Sequence, residues 1–337
     1  MIATSPLSSD ARIVPISPRV AHDRPRRRTK HRRPRTLTLL SARGATGRWA
    51  AFAVVLLVGL QPTGGVAQSS GTVPVVTIET IAELAIEQTQ PVPLFFGVAH
   101  VIVPPGTTTE TAGTAGPRLI AIEAGTLTIT TATAAAVVRA TTPESRPPEP
   151  VTPNADAVLG PGDRFLASDA AIRQIRNEGT RPSVYLDAAL FPPGPETVST
   201  AFTTAEGISF QLLAGVTTET VPRLPMTFGL QRLRLAAAGE LPSQPRDGPA
   251  LIYVEAGSLG LEATSGVVHF SRSASPAPFS TSGPMKPAKI GAKLNMSAGA
   301  SAYLEHGSAI VATNQRDVPA TILMLAIRPV SSEVPRR

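Results

Sequence analysis

Ile122-Glu-Ala-Gly-Thr-Leu127 returns later in the chain as Val254-Glu-Ala-Gly-Ser-Leu259. Three further landmarks recur around it in the same order. Upstream, Phe96-Gly97 leads into Val101-Ile-Val-Pro-Pro-Gly106, and Phe228-Gly229 leads into Leu233-Arg-Leu-Ala-Ala-Ala-Gly239. Downstream, Leu159-Gly-Pro-Gly162 is matched by Met296-Ser-Ala-Gly299. Asn177 stands five residues before Pro182, as Asn314 stands five before Pro319, and the glycine-to-asparagine interval is 15 residues in both copies. Each copy closes on an apolar run, Ser183-Val-Tyr-Leu186 and Thr321-Ile-Leu-Met-Leu325. A fixed order at near-equal spacing marks an internal duplication.

Both copies read as β-structure. Leu119-Ile-Ala-Ile-Glu-Ala-Gly-Thr-Leu-Thr-Ile129 is a pair of short alternating runs divided at glycine, and many such runs make a sandwich or barrel. Thirty-four prolines fit turns and strand edges better than helices. Ala82-Glu-Leu-Ala-Ile-Glu87 reads as a short helical turn. After the Glu-Ala-Gly strand each copy carries a Pro/Ser-rich insertion, residues 141–153 and about 271–293, expected as surface loops on one face. The chain of 337 residues is long enough for two cores. It divides into a leader (1–67), a first unit (68–195) and a second (196–337).

The formal net charge of +7 belongs to the leader. Residues 1–67 hold 12 of the 31 Lys and Arg and two of the 24 acids, so the remainder has 19 basic and 22 acidic side chains, a net of −3. No basic stripe is left to neutralise phosphates, and aromatics for base stacking are sparse, which argues against nucleic acid as a partner. The leader itself combines an arginine-rich block between Arg24 and Arg35, an apolar run from Trp49 to Leu60, and the small-residue site Gly65-Val66-Ala67. Twelve apolar residues rising ~1.5 Å each span roughly 18 Å, short of a ~30 Å hydrocarbon core. That pattern is a secretory signal, with cleavage expected after Ala67 and a secreted product. An uncleaved leader is the alternative and the one route to a membrane. Without cysteine there are no disulfides, no thiolate nucleophile and no Cys-ligated metal.

These spacings resemble the cupin superfamily, and the tandem arrangement resembles a bicupin. Copy one fits the intervals of both cupin motifs, Gly106 to Gly125 and Gly162 to Asn177. Copy two fits the second motif, from Gly299 through Gly307 to Asn314, and runs one residue short in the first. The resemblance covers roughly residues 90–330 and implies an all-β fold of two tandem antiparallel jelly-roll barrels. It also implies where a metal would be held, by two His and a Glu in the first motif and a His in the second. Those slots hold Ala112, Thr114, Arg118 and Arg173 in copy one, and Pro245, Asp247, Ala250 and Ile310 in copy two. Ala, Pro and Ile offer no ligand and Arg repels a cation, so no metal and no cofactor are expected.

Other chemistry is thin. The histidines after the leader are His100, His269 and His306, and the last two, both in copy two, are two ligands without a third. Glu123 and Glu255 repeat, which invites a paired-carboxylate reading; their place before Ala-Gly favours a turn role. Tyr185 and Tyr253 are expected as core aromatics. No Gly-x-Ser-x-Gly elbow, P-loop or dinucleotide fingerprint is present. The resemblance therefore implies a metal-free binding or structural bicupin. A manganese-dependent oxidoreductase or decarboxylase, resembling germin or oxalate decarboxylase, and a metal-free isomerase or sugar-binding cupin are the alternatives. If the slots face the interior, Arg118 and Arg173 point into the first barrel. There they would hold a small anion, with Thr114 at the rim, while the second barrel would be apolar and closed.

Overall fold

The computed structural model describes residues 76–87, 92–110, 116–141, 147–169, 172–192, 207–272 and 285–330. The leader and its cleavage site lie outside the described residues. Every regular element among them is a β-strand. The first half contributes β1 (Val76–Ile86), β2 (Leu94–Val103), β3 (Thr108–Glu110), β4 (Arg118–Ala124), β5 (Leu127–Thr131), β6 (Ala135–Val138), β7 (Glu149–Val151), β8 (Asp156–Leu159), β9 (Arg164–Ala167), β10 (Ile172–Arg176) and β11 (Ser183–Phe191). The second contributes β12 (Ser209–Thr218), β13 (Met226–Leu235), β14 (Glu240–Leu241), β15 (Ala250–Ala256), β16 (Ser258–Ser265), β17 (Val268–Ser271), β18 (Lys286–Ala288), β19 (Lys293–Ser297), β20 (Ser301–Leu304), β21 (Ala309–Thr313) and β22 (Ala320–Pro329).

The strand order is that of a jelly roll, twice. One barrel pairs β2-β11-β4-β9 in one sheet against β3-β10-β5-β8 in the other; its copy pairs β13-β22-β15-β20 against β14-β21-β16-β19. All pairings are antiparallel, and this two-sheet Greek-key closure is the fold the motif spacing implied. The insertions add hairpins at corresponding edges, β6–β7 and β17–β18. Pro150 and Pro287 sit in their outermost strands, where a missing N–H removes no ladder bond.

The landmark residues hold this geometry. Asn177 and Asn314 are buried, and their Nδ2 groups donate to the carbonyls of Val103 and Arg181 in one barrel and of Leu235, Ala236 and Val318 in the other. Gly125 and Gly257 have φ of +74° and +78°, and a Cβ at Gly125 would stand 2.4 Å from the Pro182 carbonyl oxygen. Only glycine accepts both demands.

Sheet membership does not follow the linear order. β1 pairs with β13 of the second barrel and β12 pairs with β2 of the first, so each copy's leading strand extends the other's sheet. Both exchanged strands carry a register shift at the same place, Thr80/Ala82 and Leu212/Ala214, 132 residues apart. Of Ala82–Glu87, expected as a helical turn, all but Glu87 belong to β1. There Ile81, Ala82 and Ile86 are buried in the shared core, and pairing along the whole of β13 overrides local helix propensity.

Three cores result. One fills each barrel, and a third lies where the two seven-stranded sheets meet, built on Phe96, Leu119 and Leu190 from one side and Phe228, Leu251 and Leu325 from the other. Because the sheets are covered on both faces, Leu94 to Val98 is buried without interruption rather than alternating. Ser69–Arg337 form one compact unit.

Candidate functional site

The two barrels differ most at one level of their interiors. In β11, Tyr185, Ala189 and Phe191 face the first barrel's core while Leu186, Ala188 and Leu190 face the shared core, so Asp187 points into the barrel. In β4 the same alternation turns Arg118 inward with Ile120 and Ile122. Arg118 and Asp187 are 4% and 2% exposed and form a two-point ion pair, Nε to Oδ1 at 2.8 Å and Nη2 to Oδ2. Burial works against the Arg118 charge, but the Asp187 carboxylate opposite outweighs it and raises the pKa. Burial, followed by the Asp187 charge, pushes the Tyr185 hydroxyl up. Phe95 and Phe191 stack 5.1 Å apart at the next rung, and Phe210 and Leu212 from the exchanged strand close the space.

The anion site expected in this barrel is therefore not formed. Arg118 does point inward, but Asp187 occupies its fork. Arg173 is exposed, because the strand register shifts between Ile172 and Gln174 and the residue at a bulge leaves the alternation. Thr114 lies outside the described residues.

Corresponding positions in the second barrel carry smaller or different side chains. Ala250 replaces Arg118, Met324 replaces Asp187, and the Phe95–Phe191 rung becomes Thr227–Arg328. Ile78 and Thr80 stand where Phe210 and Leu212 stand in the first barrel. The space left is a cleft of about 470 Å³ at the barrel mouth, contrary to the expected closed interior. Ile78, Leu233 and Met324 give it an apolar side, and Gln231, Arg246 and Arg328 a polar one. Its size falls in the range of small-molecule pockets, roughly 300–1,000 Å³.

Arg246 is the unusual group. Its backbone is fixed to the 305–308 turn, accepting from the Gly307 N–H at 2.9 Å and donating to the Ser308 carbonyl at 3.0 Å. Its Nε is buried and has no hydrogen-bond partner among the described residues. Burial, and then the Arg328 charge, hold its pKa below the ordinary arginine value. Arg328 is itself engaged by Glu83 at 3.0 Å. Arg246 lies between Pro245 and Asp247, which the motif spacing singled out, but nothing in its local sequence distinguishes it. Arg328 was legible in principle, from the alternation Met324, Ala326, Arg328 on one strand face.

A second charged cluster lies between the barrels. Arg232 pairs with Glu255 (2.7 Å) and with Glu123 (2.7 Å), and Glu123 is 3.5 Å from His100. Glu123 and Glu255 thus do more than precede a turn: the two repeated glutamates converge on one guanidinium. The His100 hydrogen bond, with the Arg232 charge behind it, holds the Glu123 carboxyl below the usual range. Arg232 fills the cluster with three bonds to carboxylates, and we read it as an inter-barrel clasp.

Among the described residues, the positions that correspond to the metal-holding ones of cupins do not fit a metal. Arg118 is locked to Asp187, Arg173 is exposed, Ala250 and Ile310 are apolar and buried in the second barrel, and Pro245 is exposed and offers no side-chain ligand. Asp247 is an exposed carboxylate without a partner ligand at those positions. His269 lies 2.9 Å from Glu305 and against the Tyr303 ring, while His306 is exposed. Among the described residues no three His, Asp or Glu converge as a metal site.

No protein-family model matches the chain, and no curated protein matches it. Solved structures similar to it include a Lactobacillus farciminis oxalate decarboxylase (10% identity, 77% of this chain and 88% of that one, TM-score 0.37). An 11S globulin from Wrightia tinctoria is similar at 9% identity over 74% of this chain and 84% of the other, with a TM-score of 0.35. A cupin 2 conserved barrel domain protein from Leptotrichia buccalis is similar at 10% identity over 74% and 91%, with a TM-score of 0.30.

Proposed function

We propose that this chain is an exported bicupin that works without a metal ion, as a binding protein whose ligand enters the second barrel. The observation that carries this reading is the contrast between the barrels. One interior is filled by an ion pair and stacked rings, and the other holds a cleft of about 470 Å³ at the same level. An open cleft of this size, with an apolar side and a few polar groups, has the character of a small-molecule site. The decarboxylase and oxidase alternatives require a cation held by side chains that these positions lack.

Protein recovered from the extracellular fraction of the producing cells tests this in two measurements. Intact mass is expected to show a chain beginning at Gln68, and elemental analysis less than a tenth of an equivalent (roughly) of manganese, iron, zinc or copper after dialysis. A retained leader overturns export by cleavage. Near-equimolar metal returns the enzyme reading.

A further inference from the structure

We propose that the second barrel binds a small amphipathic monocarboxylate, with the carboxylate on Arg246 and an apolar body against Ile78, Leu233 and Met324. This deepens the binding-protein reading and rests on it. The charge state of the cleft sets the head group. Four charged residues line it: Arg328 is paired with Glu83, Asp247 is exposed, and Arg246 has its Nε sealed from solvent and without an acceptor. A buried N–H donor without an acceptor is destabilising, and a planar guanidinium matches a carboxylate edge to edge. A monoanion meets the one unpaired guanidinium edge; a phosphate dianion would bring a second negative charge into a cleft that already holds the carboxylates of Glu83 and Asp247.

The walls set the body. Ile78 is 54% exposed, an apolar side chain held on the exchanged strand at the cleft rather than in a core. Leu233 and Met324 are the adjoining floor, and Gly229 leaves it unobstructed: a Cβ there would meet nothing closer than 3.8 Å. The first barrel shows what the same scaffold does when the site is absent. There a carboxylate of the chain itself, Asp187, sits on the inward arginine. In the second barrel both partners of that pair are gone, with Ala250 and Met324 at their positions, and both line the cleft beside Arg246.

Titration calorimetry with hexanoate, hexan-1-ol, hexylammonium and inorganic phosphate tests the assignment, using the purified protein and its Arg246→Gln and Gly229→Leu variants. Hexanoate is expected to bind with one-to-one stoichiometry and more tightly than hexanol. Loss of one charge-assisted contact in Arg246→Gln is expected to weaken hexanoate roughly 10- to 100-fold while leaving hexanol unchanged. Gly229→Leu, which fills the cleft, is expected to abolish both. Hexanoate binding that Arg246→Gln does not weaken, or hexylammonium or phosphate binding as tightly, refutes the monocarboxylate assignment and leaves the second barrel as a binding site. Binding that survives Gly229→Leu, or no binding by any probe, refutes the site itself. Circular dichroism of each variant separates these outcomes from unfolding.

Discussion

Removing Asp187 leaves Arg118 as an uncompensated charge in the first barrel's interior. The two groups are almost fully buried and joined at two points. Their attraction is about 4 kcal/mol for charges ~4 Å apart at an effective dielectric of about 20. Breaking one side of a buried pair costs about 3–5 kcal/mol, whereas replacing both partners by apolar residues of similar volume is often neutral. Asp187→Leu is therefore expected to lose about 3–5 kcal/mol, and Arg118→Met with Asp187→Leu to fall within ~1–2 kcal/mol of the parent. At ~2–4 °C per kcal/mol for a unit of this size, the single variant melts roughly 6–20 °C lower. Urea unfolding followed by circular dichroism gives the free energies. The one tryptophan, Trp49, is in the leader, so fluorescence relies on tyrosine, and Tyr185 faces the same interior as the pair. A loss below ~1 kcal/mol in Asp187→Leu, or a double variant as unstable as the sum of the singles, would refute this account of the filled barrel.

Acid stability is expected to depend on the inter-barrel clasp. His100 and Arg232 depress the folded-state pKa of Glu123, so its contribution is present above the ordinary glutamate range and is lost as pH falls through the depressed value. Glu123→Gln should lower stability at pH 7 and flatten the loss between roughly pH 5 and 3, read from urea midpoints across that range; an unchanged acid limb sinks it. Gly125→Ala combines a left-handed backbone with a 2.4 Å contact to Pro182, and is expected to lose at least about 2 kcal/mol in the same assay. A change under ~0.5 kcal/mol would mean the turn is not held as described.

The duplication and the all-β character were legible in the chain alone, because turns are local, and the jelly-roll pairing followed from the resemblance that their spacing carries. Gly125, Gly257, Asn177 and Asn314 recur where a positive φ or a ring of inward carbonyls leaves few other residues possible. Which barrel is filled was not legible, and the expectation was reversed. Side chains alternate along a strand, so a single bulge moved Arg173 out to solvent. Asp187, the partner of Arg118, lies 69 residues away and meets it only once β4 and β11 are paired. The open second barrel is a sum of small differences, Ala250, Met324, Thr227 and Ile78, brought to one level by strands from both halves of the chain. Local sequence sets what each strand and turn can be. The interior of a barrel belongs to no one strand, and its volume and charge exist only after register and strand exchange have chosen which side chains share it.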